Sequence, residues 1–201
     1  MAFEDFTTYT ETDPQPALTV TSSRITATSA TNSSNHHVTK DAGAGHFGDF
    51  THLITFRLDS NTGITYFGID VVANVSGNLE DINSNGVGLQ LTYQSETGDT
   101  LYLVDVASTN EDFSVGVSDA TTYYLTFSRS GTTGTCLIYS DSGRTTLLDT
   151  ITVTCGSTTY RYLNASTGLG FGVDGVFSGY VENLDLQEAV ASKQLATLGV
   201  G

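Results

Sequence analysis

Short runs of alternating apolar and polar residues, separated by turns, make up most of the chain. The period of two is seen in His52–Leu58, Val87–Tyr93, Thr122–Ser128 and Leu147–Cys155, and such alternation is typical of half-buried strands. Ile64–Ala73 is apolar on both faces, as expected of a central strand. Because strands recur about every 12 residues with turn residues between them, the pattern predicts an all-β, antiparallel β-sandwich of one domain.

Less regular segments complete this picture. The stretch Phe171–Gln187 predicts two strands joined by a Gly-rich turn, with Tyr180, Leu184 and Leu186 on one face of the last strand. Residues 74–86 predict a long polar loop, and no segment before residue 188 has helical periodicity. We therefore expect one domain over residues 1–188, followed by a tail over residues 189–201.

The charge balance narrows the function. Of 201 residues, 22 are Asp or Glu and 7 are Lys or Arg, which gives a formal net charge of −15. A nucleic-acid partner is excluded, because phosphate neutralisation needs a basic face, and an anionic membrane surface is disfavoured for the same reason. No stretch approaches the roughly 20 apolar residues of a membrane span. The acidity favours solubility, cation binding or docking on a basic partner.

The start of the chain and its cysteines bear on the compartment. The start MAFEDFTTYTE lacks the apolar region of a signal peptide, which predicts synthesis in a cytoplasm. Assembly into a virion that is released by lysis is one route by which such a protein leaves the cell. Cys136 and Cys155 both alternate with apolar residues. Two buried free thiols are expected, and a disulfide between neighbouring strands stays open, because sequence does not set the separation that it needs.

Four segments carry a family resemblance, and they read FEDFTTYTE, VTKDAGAGHFGDFTH, YYLTFSRSGTTGTCLIYSD and FSGYVENLDLQ. Together they resemble a concanavalin A-like, laminin G-like jelly roll over nearly the whole chain. The opening and closing segments are similar to open reading frames of phage and environmental virus genomes, whose domains of this kind are thought to sit on virions. The resemblance thus implies a jelly-roll sandwich and a place at the virion surface.

Catalysis is not expected. Glucanases that share this fold carry paired acids on one strand, and retaining hydrolysis needs two carboxyl groups about 5 Å apart. Strict alternation puts Glu182 and Asp185 on opposite faces of the last strand. Glu80 and Asp81 are adjacent in the predicted loop and fail the same test.

One motif predicts a calcium site. The segment from Asp81 through Asn83 and Asn85 to Gly86 matches the first half of a calcium loop, with oxygen ligands at alternate positions. The twelfth position is Thr92 and not the usual Glu, so a remote acid has to complete the site. The alternative interpretation is an ordinary Asn-Gly turn that leads into the next strand.

Sugar binding depends on the aromatic residues. The chain has no Trp and ten Tyr. Tyr102 and Tyr124 lie opposite the clearer apolar rows of their strands, which makes them the candidate sugar-binding residues, with packing in the core or at an edge as the alternative. The histidines are interpreted as surface or turn residues and not as zinc ligands; they are His36, His37, His46 and His52.

These observations predict a non-catalytic structural or display protein of a phage-like virion, which decorates the capsid and binds glycans. The alternative is a free carbohydrate-binding module or lectin, and a glycosidase with an unusual acid pair is a third hypothesis. The expected partners are capsid proteins and further copies of the chain. The predicted assembly contacts are apolar residues near the two termini, namely Phe3, Phe6, Leu195, Leu198 and Val200.

Overall fold

A computed structural model describes residues 3–31, 35–85, 87–96, 98–167 and 175–188. Two antiparallel sheets of seven strands each pack face to face as a sandwich, so the predicted fold class is confirmed. The predicted tail over residues 189–201 and the start of the predicted closing segment, residues 171–174, lie outside the described residues. In the part of the chain that is described, no helix is both long and apolar enough to cross a membrane.

The described strands follow one another along the chain with few other elements. A 3-10 turn covers Phe6–Thr8, and one helix, α1, covers Leu79–Asn85. The strands are β1 (Thr10–Thr12), β2 (Leu18–Val20), β3 (Arg24–Thr31), β4 (His37–Asp41), β5 (Phe50–Thr62), β6 (Tyr66–Ala73), β7 (Gly88–Gln94), β8 (Thr100–Asp105), β9 (Asn110–Phe113), β10 (Thr121–Ser130), β11 (Thr133–Tyr139), β12 (Leu147–Thr154), β13 (Tyr162–Thr167) and β14 (Val176–Asp185).

The two sheets have different strand orders. Sheet I runs β1-β4-β13-β6-β7-β8-β9, and sheet II runs β12-β11-β10-β5-β14-β3-β2. Alternating side chains of both sheets point inward and form one core, which is why the strands show a period of two. Phe177 of sheet II stacks on Phe67 of sheet I, with ring centroids 4.3 Å apart and planes 12° apart. Aromatic contacts of this kind join the sheets at the centre of the sandwich.

The predicted polar loop over residues 74–86 contains helix α1, and the prediction of no helix is therefore wrong. Asn78 caps the helix, because its Oδ1 accepts a hydrogen bond of 2.9 Å from the backbone N–H of Asp81. Leu79 and Ile82 of the helix are buried against the outer side of sheet I. Only these two apolar residues mark the buried face of α1, which is too short a pattern to predict a helix from sequence.

The closing strand β14 is irregular, and this changes which side chains face the core. Glu182 pairs with Thr55 and Asp185 pairs with Leu53, so three steps along β14 match two steps along β5, which defines a β-bulge. Asn183 has a φ of 55° at this point. As a result Leu184 and Leu186 are buried in the core, but Tyr180 does not share their face and lies outside, under the guanidinium of Arg24 at 3.9 Å.

The histidines and cysteines can now be placed. His36 and His52 are buried at 1% exposure each, so the interpretation of both as surface residues is wrong. His52 enters the core from β5, where its Nδ1 lies 2.8 Å from a carboxylate oxygen of Asp70 on β6. Cys136 and Cys155 are both buried and free, which confirms the prediction of two buried free thiols.

Candidate functional site

A pocket of about 180 Å³ opens on the outer face of sheet II. Strand β5 turns Ile54 and Phe56 toward the core, so the alternate residues Leu53 and Thr55 face outward. On the neighbouring strand β10 the same alternation turns Tyr124 outward, directly opposite Thr55. The pocket is lined by Phe3, Leu53, Thr55, Tyr124, Ser142, Arg144 and Asn183.

The loop between β11 and β12 brings Arg144 to this pocket. The carboxylate of Asp141 accepts hydrogen bonds from the backbone N–H groups of Thr146 (2.6 Å) and Thr145 (3.1 Å). These bonds, that from Thr146 foremost, lower the pKa of Asp141. Arg144 has a φ of 52°, and its Nη2 donates weakly to the backbone carbonyl of Leu125 at 3.4 Å. The turn therefore holds the guanidinium over sheet II.

A buried carboxylate lies on the same face as the pocket. Asp185 pairs with Leu53, and directly paired residues of antiparallel strands project to the same side. Asp185 is only 5% exposed. Its Oδ1 accepts a hydrogen bond from the backbone N–H of Gln187 at 2.9 Å, while its Oδ2 has no partner among the described residues. A buried acceptor without a partner is rare in folded proteins and marks this position as unusual.

Arg144 is the complementary unpaired group. Its Nε is buried and has no partner within the described ranges, and burial lowers the pKa of its guanidinium, an effect that the nearby Asp185 carboxylate opposes. The two side chains do not form an ion pair. The pocket wall thus carries an unpaired donor atom of Arg144, and an unpaired acceptor atom of the buried Asp185 lies near it on the same face of sheet II; the two side chains interact electrostatically and do not pair with each other.

The other described cationic side chains are engaged. Four of them pair with carboxylates, in the pairs Arg24–Glu182, Lys40–Glu4, Arg57–Asp59 and Arg161–Asp41. Arg129 is buried and donates to three backbone carbonyls, those of Gly131, Gly156 and Thr158. Within the described part of the chain, Arg144 is therefore the cation that is best placed to bind something else.

The two tyrosines predicted to bind sugar do not come together. Tyr124 lines the pocket on sheet II, where it is half-buried. Tyr102 lies on β8 of sheet I, is 9% exposed, and packs against Phe113 with ring centroids 5.5 Å apart. Tyr102 therefore belongs to an edge-packing contact on the other sheet, and the structure leaves Tyr124 as the candidate.

Sequence reasoning missed two polar residues of the pocket wall, Arg144 and Asn183, and the buried carboxylate of Asp185 beside it. Arg144 was part of a turn motif, Asp-Ser-Gly-Arg, that predicts a turn and no direction for the side chain. Asn183 gave the one available signal, because Asn is enriched at positions with positive φ. Asp185 gave no signal in the sequence, because the bulge decides on which face of β14 its side chain lies.

The bulge also overturns the argument against paired acids. Glu182 and Asp185 pair with Thr55 and Leu53, so both carboxylates lie on the outer face of sheet II, two strand positions or about 7 Å apart along β5. The assignment to opposite faces was therefore wrong. Glu182 is already engaged, because its Oε2 accepts hydrogen bonds from Nε (2.9 Å) and Nη2 (2.5 Å) of Arg24.

The predicted calcium ligands lie on helix α1 and not on a loop. Consecutive helical residues turn by about 100°, so Asp81 and Asn85, four positions apart, share one face of α1 and line the same surface pocket, whereas Asn83 points away from both. Each also has a protein partner: Asp81 accepts from the N–H of Asn78, Asn83 accepts from Gln90, and Asn85 donates to the carbonyl of Asp81. These residues do not fit a calcium site. Among the described residues no three His, Cys, Asp or Glu are grouped as metal ligands.

The predicted assembly contacts have different environments. Phe3 is 54% exposed and forms part of the pocket wall. Phe6 is 2% exposed, with its ring centroid 5.4 Å from that of Tyr9 in the core, so the prediction that it contacts a partner is wrong. Residues Leu195, Leu198 and Val200 lie outside the described residues.

Comparison with known proteins identifies the fold. No protein family and no curated protein matches the sequence. A functionally unknown protein from Saccharomyces cerevisiae is similar in structure, with a TM-score of 0.63 and 12% identity over 92% of this chain and 99% of that one. The exoplasmic domain of VIP36, bound to Ca²⁺ and Man3GlcNAc, gives a TM-score of 0.54 and 10% identity over 93% of this chain and 88% of that one.

A phage protein has the same architecture in part of its length. The enzymatically active domain of tailspike protein 2 from bacteriophage CBA120 gives a TM-score of 0.51 and 11% identity over 93% of this chain. This chain spans 29% of that tailspike domain. Together these likenesses show a concanavalin A-like, lectin-type jelly roll, and at such low identity they show the fold alone.

Proposed function

We propose that this protein is a non-catalytic glycan-binding domain and that the pocket on sheet II holds the sugar. The observation that carries the proposal is Arg144, which lines the pocket with a buried, unpaired Nε, next to the buried, unpaired Oδ2 of Asp185 on the same face of sheet II. Buried polar groups are costly without partners, and sugar hydroxyl groups donate and accept hydrogen bonds. The lectin-type fold supports carbohydrate binding as a general possibility.

The remaining lining residues suit the same ligand. Tyr124 offers an aromatic ring on which the C–H face of a pyranose can pack, and Phe3 offers a second apolar wall. Thr55, Ser142 and Asn183 add hydroxyl and amide groups that both donate and accept. A pocket in which hydrogen-bonding groups lie beside aromatic and apolar walls is a usual form of ligand site.

The test is a glycan array followed by calorimetric titration of the sugars that bind. Arg144→Ala and Tyr124→Ala should each weaken binding by about tenfold or more, which is the usual effect of truncating a central contact. Arg161→Ala is the matched control, because Arg161 is exposed and paired with Asp41. Equal binding by all three variants, or no binding by the wild type, would overturn the proposal.

A second candidate function is hydrolysis of the bound glycan. It is favoured by the bulge, which brings Glu182 and Asp185 to one face of sheet II, since glycosidases use two carboxyl groups at such separations. Release of reducing ends from polysaccharides by wild type, and its loss in Glu182→Gln and Asp185→Asn, would establish this activity. A protein that binds glycans without releasing reducing ends is a lectin-type module.

We further propose that the domain is displayed on a phage-like virion and made in the host cytoplasm, with capsid proteins as partners. The support is the resemblance of the opening and closing segments to phage reading frames, together with the fold likeness to part of a phage tailspike. Mass spectrometry of purified virions should detect the chain. Its absence from virions, combined with sugar binding by the isolated domain, would favour the alternative of a free carbohydrate-binding module.

A further inference from the structure

We infer that an apolar patch at one edge of the sandwich binds the tail, residues 189–201, of a second copy of this chain. Of the five large apolar side chains that are exposed in the described part of the chain, four lie at this edge. They form the edge patch, which consists of Phe113 (59% exposed), Val115 (68%), Leu147 (51%) and Leu148 (48%). Such a concentration of exposed apolar side chains at one place indicates an interaction surface.

The edge patch lies where the edge strand β9 of sheet I meets the edge strand β12 of sheet II. The backbone N–H of Thr152 on β12 donates to Oδ2 of Asp112 on β9 at 2.8 Å. The N–H of Val115, just after β9, donates to Oδ2 of Asp149 on β12 at 2.7 Å. These two bonds hold the two edges side by side and so bring the four residues of the edge patch together. Soluble proteins usually protect sheet edges with charges or a covering segment, which makes exposed apolar side chains here unusual.

The size and charge of the edge patch favour a short segment over a second domain. Four side chains that are half or more exposed present a few hundred Å² of apolar surface, whereas each partner in a stable protein–protein interface buries about 800 Å². Strands β9 and β12 carry Glu111, Asp112 and Asp149 and neither Lys nor Arg. Two edge patches that face each other would bring these like charges together, so a symmetrical contact between two copies is disfavoured.

The tail has the composition that complements the edge patch. Its large apolar residues are Val190, Leu195, Leu198 and Val200, and its only charged side chain is that of Lys193. The apolar residues can cover the exposed side chains of the patch, while Lys193 can approach the carboxylates of β9 and β12. In a chain with a formal net charge of −15, a segment with one cation and no acid is suited to bind an acidic edge.

Distance favours the tail of a second copy over the chain's own tail. Strand pairing places Leu147 level with Glu182 but four strand spacings away across sheet II. The tail starts after Glu188, six residues beyond Glu182. At about 4.8 Å per strand and 3.4 Å per residue, the straight path from Glu188 to Leu147 is roughly 28 Å, which takes about eight fully extended residues. The chain's own Val190 and Leu195 would then serve only as linker, whereas a neighbouring tail can lay all its apolar residues on the patch.

Mixing two full-length variants tests this contact. The patch variant, Phe113→Ser with Leu148→Ser, keeps the tail intact, and the tail variant, Leu195→Ser with Leu198→Ser, keeps the patch intact. Because a contact between tail and patch is heterologous, the wild type should form oligomers in light scattering and each variant alone should be monomeric. An equimolar mixture of the variants should form dimers, since it supplies one intact patch and one intact tail. Thermal unfolding verifies that each variant is folded.

A charge variant tests the complementarity separately. Lys193→Gln should raise the concentration needed for assembly by about two- to fivefold at 20 mM NaCl, as expected for an exposed ion pair. The effect should fade at 500 mM NaCl, because added ions screen the attraction. Arg161→Gln is the matched control, because it removes the same charge from an exposed side chain on sheet I that pairs with Asp41, and it should leave assembly unchanged.

Each outcome has one meaning. Oligomers of the wild type, monomers of both variants and dimers in their mixture support the inference. Oligomers that persist in the patch variant, or variants that stay monomeric when mixed, overturn it. A wild type that is monomeric at millimolar concentration also overturns it; hydrogen-exchange protection of the edge patch that is lost in the tail variant would then identify the chain's own tail as the occupant.

Discussion

The buried contact between His52 and Asp70 gives the sharpest stability prediction. The two side chains are 1% and 0% exposed, their closest atoms are 2.8 Å apart, and they join sheet II to sheet I through the core. Removing one partner leaves the other buried without its hydrogen bond, which typically costs about 1–3 kcal/mol of unfolding free energy. Asp70→Ala should therefore lower the melting temperature by about 2–12 °C in a domain of this size.

A double-mutant cycle tests the reason for the loss. His52 lies among the rings of Phe47, Phe50 and Phe127, with centroids 5.5, 4.5 and 6.1 Å away, so phenylalanine suits its position. His52→Phe alone strands Asp70 and should also be destabilising. The double variant removes both polar groups, and apolar replacement of a buried pair is often close to neutral. We expect it to be more stable than either single variant.

Chemical denaturation of the four proteins measures the cycle. The expected result is a coupling free energy of about 2 kcal/mol or more between His52 and Asp70. Asp41→Ala, which breaks the exposed pair with Arg161, is the control and should change stability little. Strictly additive losses in the double variant, or a negligible loss in Asp70→Ala, would refute the reasoning that an unpaired buried group sets the cost.

Three further predictions concern a close backbone contact, alkaline stability and the tail. Gly179→Ala would place Cβ 2.3 Å from the carbonyl oxygen of Arg57 and should cost about 1–3 kcal/mol in urea unfolding, whereas Gly156→Ala, with nothing nearer than 3.9 Å, should be nearly neutral. Burial raises the pKa of Tyr160 from 10.0 to about 12. The tyrosine of the unfolded chain therefore ionises first, and the stability that neutral Tyr160 contributes below pH 10 is lost between pH 10 and 12. Tyr160→Phe has no such group, so its unfolding free energy should fall less than that of the wild type over this range. Deleting residues 189–201 should leave the fold intact and abolish assembly, and light scattering that shows unchanged assembly would contradict this.

Much of the sandwich could be predicted from the sequence. Ile64–Ala73 is apolar on both faces and contains β6, the middle strand of sheet I, whose residues from Phe67 to Ala73 are buried. Val87–Tyr93 overlaps β7, but its predicted outward residues Gln90 and Thr92 are also buried. Helix α1 covers this face of the sheet. The strand keeps its alternation of apolar and polar residues under the helix, so its sequence does not reveal that the polar face is covered.

The predicted calcium loop and the predicted opposite faces of Glu182 and Asp185 were wrong for a related reason. Both were read from local spacing, and local spacing has meaning only when the backbone conformation is known. Asp81, Asn83 and Asn85 would converge on a loop, whereas on helix α1 Asn83 points away from the other two. Glu182 and Asp185 face apart on a regular strand and lie on one face across a bulge.

The sequence by itself determined most of the strands and the sandwich class, because burial of one strand face imposes a period of two that can be read locally, whereas the structure was needed to show that Cys136 and Cys155 are free. Only the tertiary structure decided which side chains meet. Arg144 comes from the loop between β11 and β12, whereas Asp185 comes from the end of β14, and the positive φ of Asn183 sets the face of that carboxylate. The pairing of distant strands and the position of a bulge depend on packing across the whole molecule, and a local pattern does not encode them.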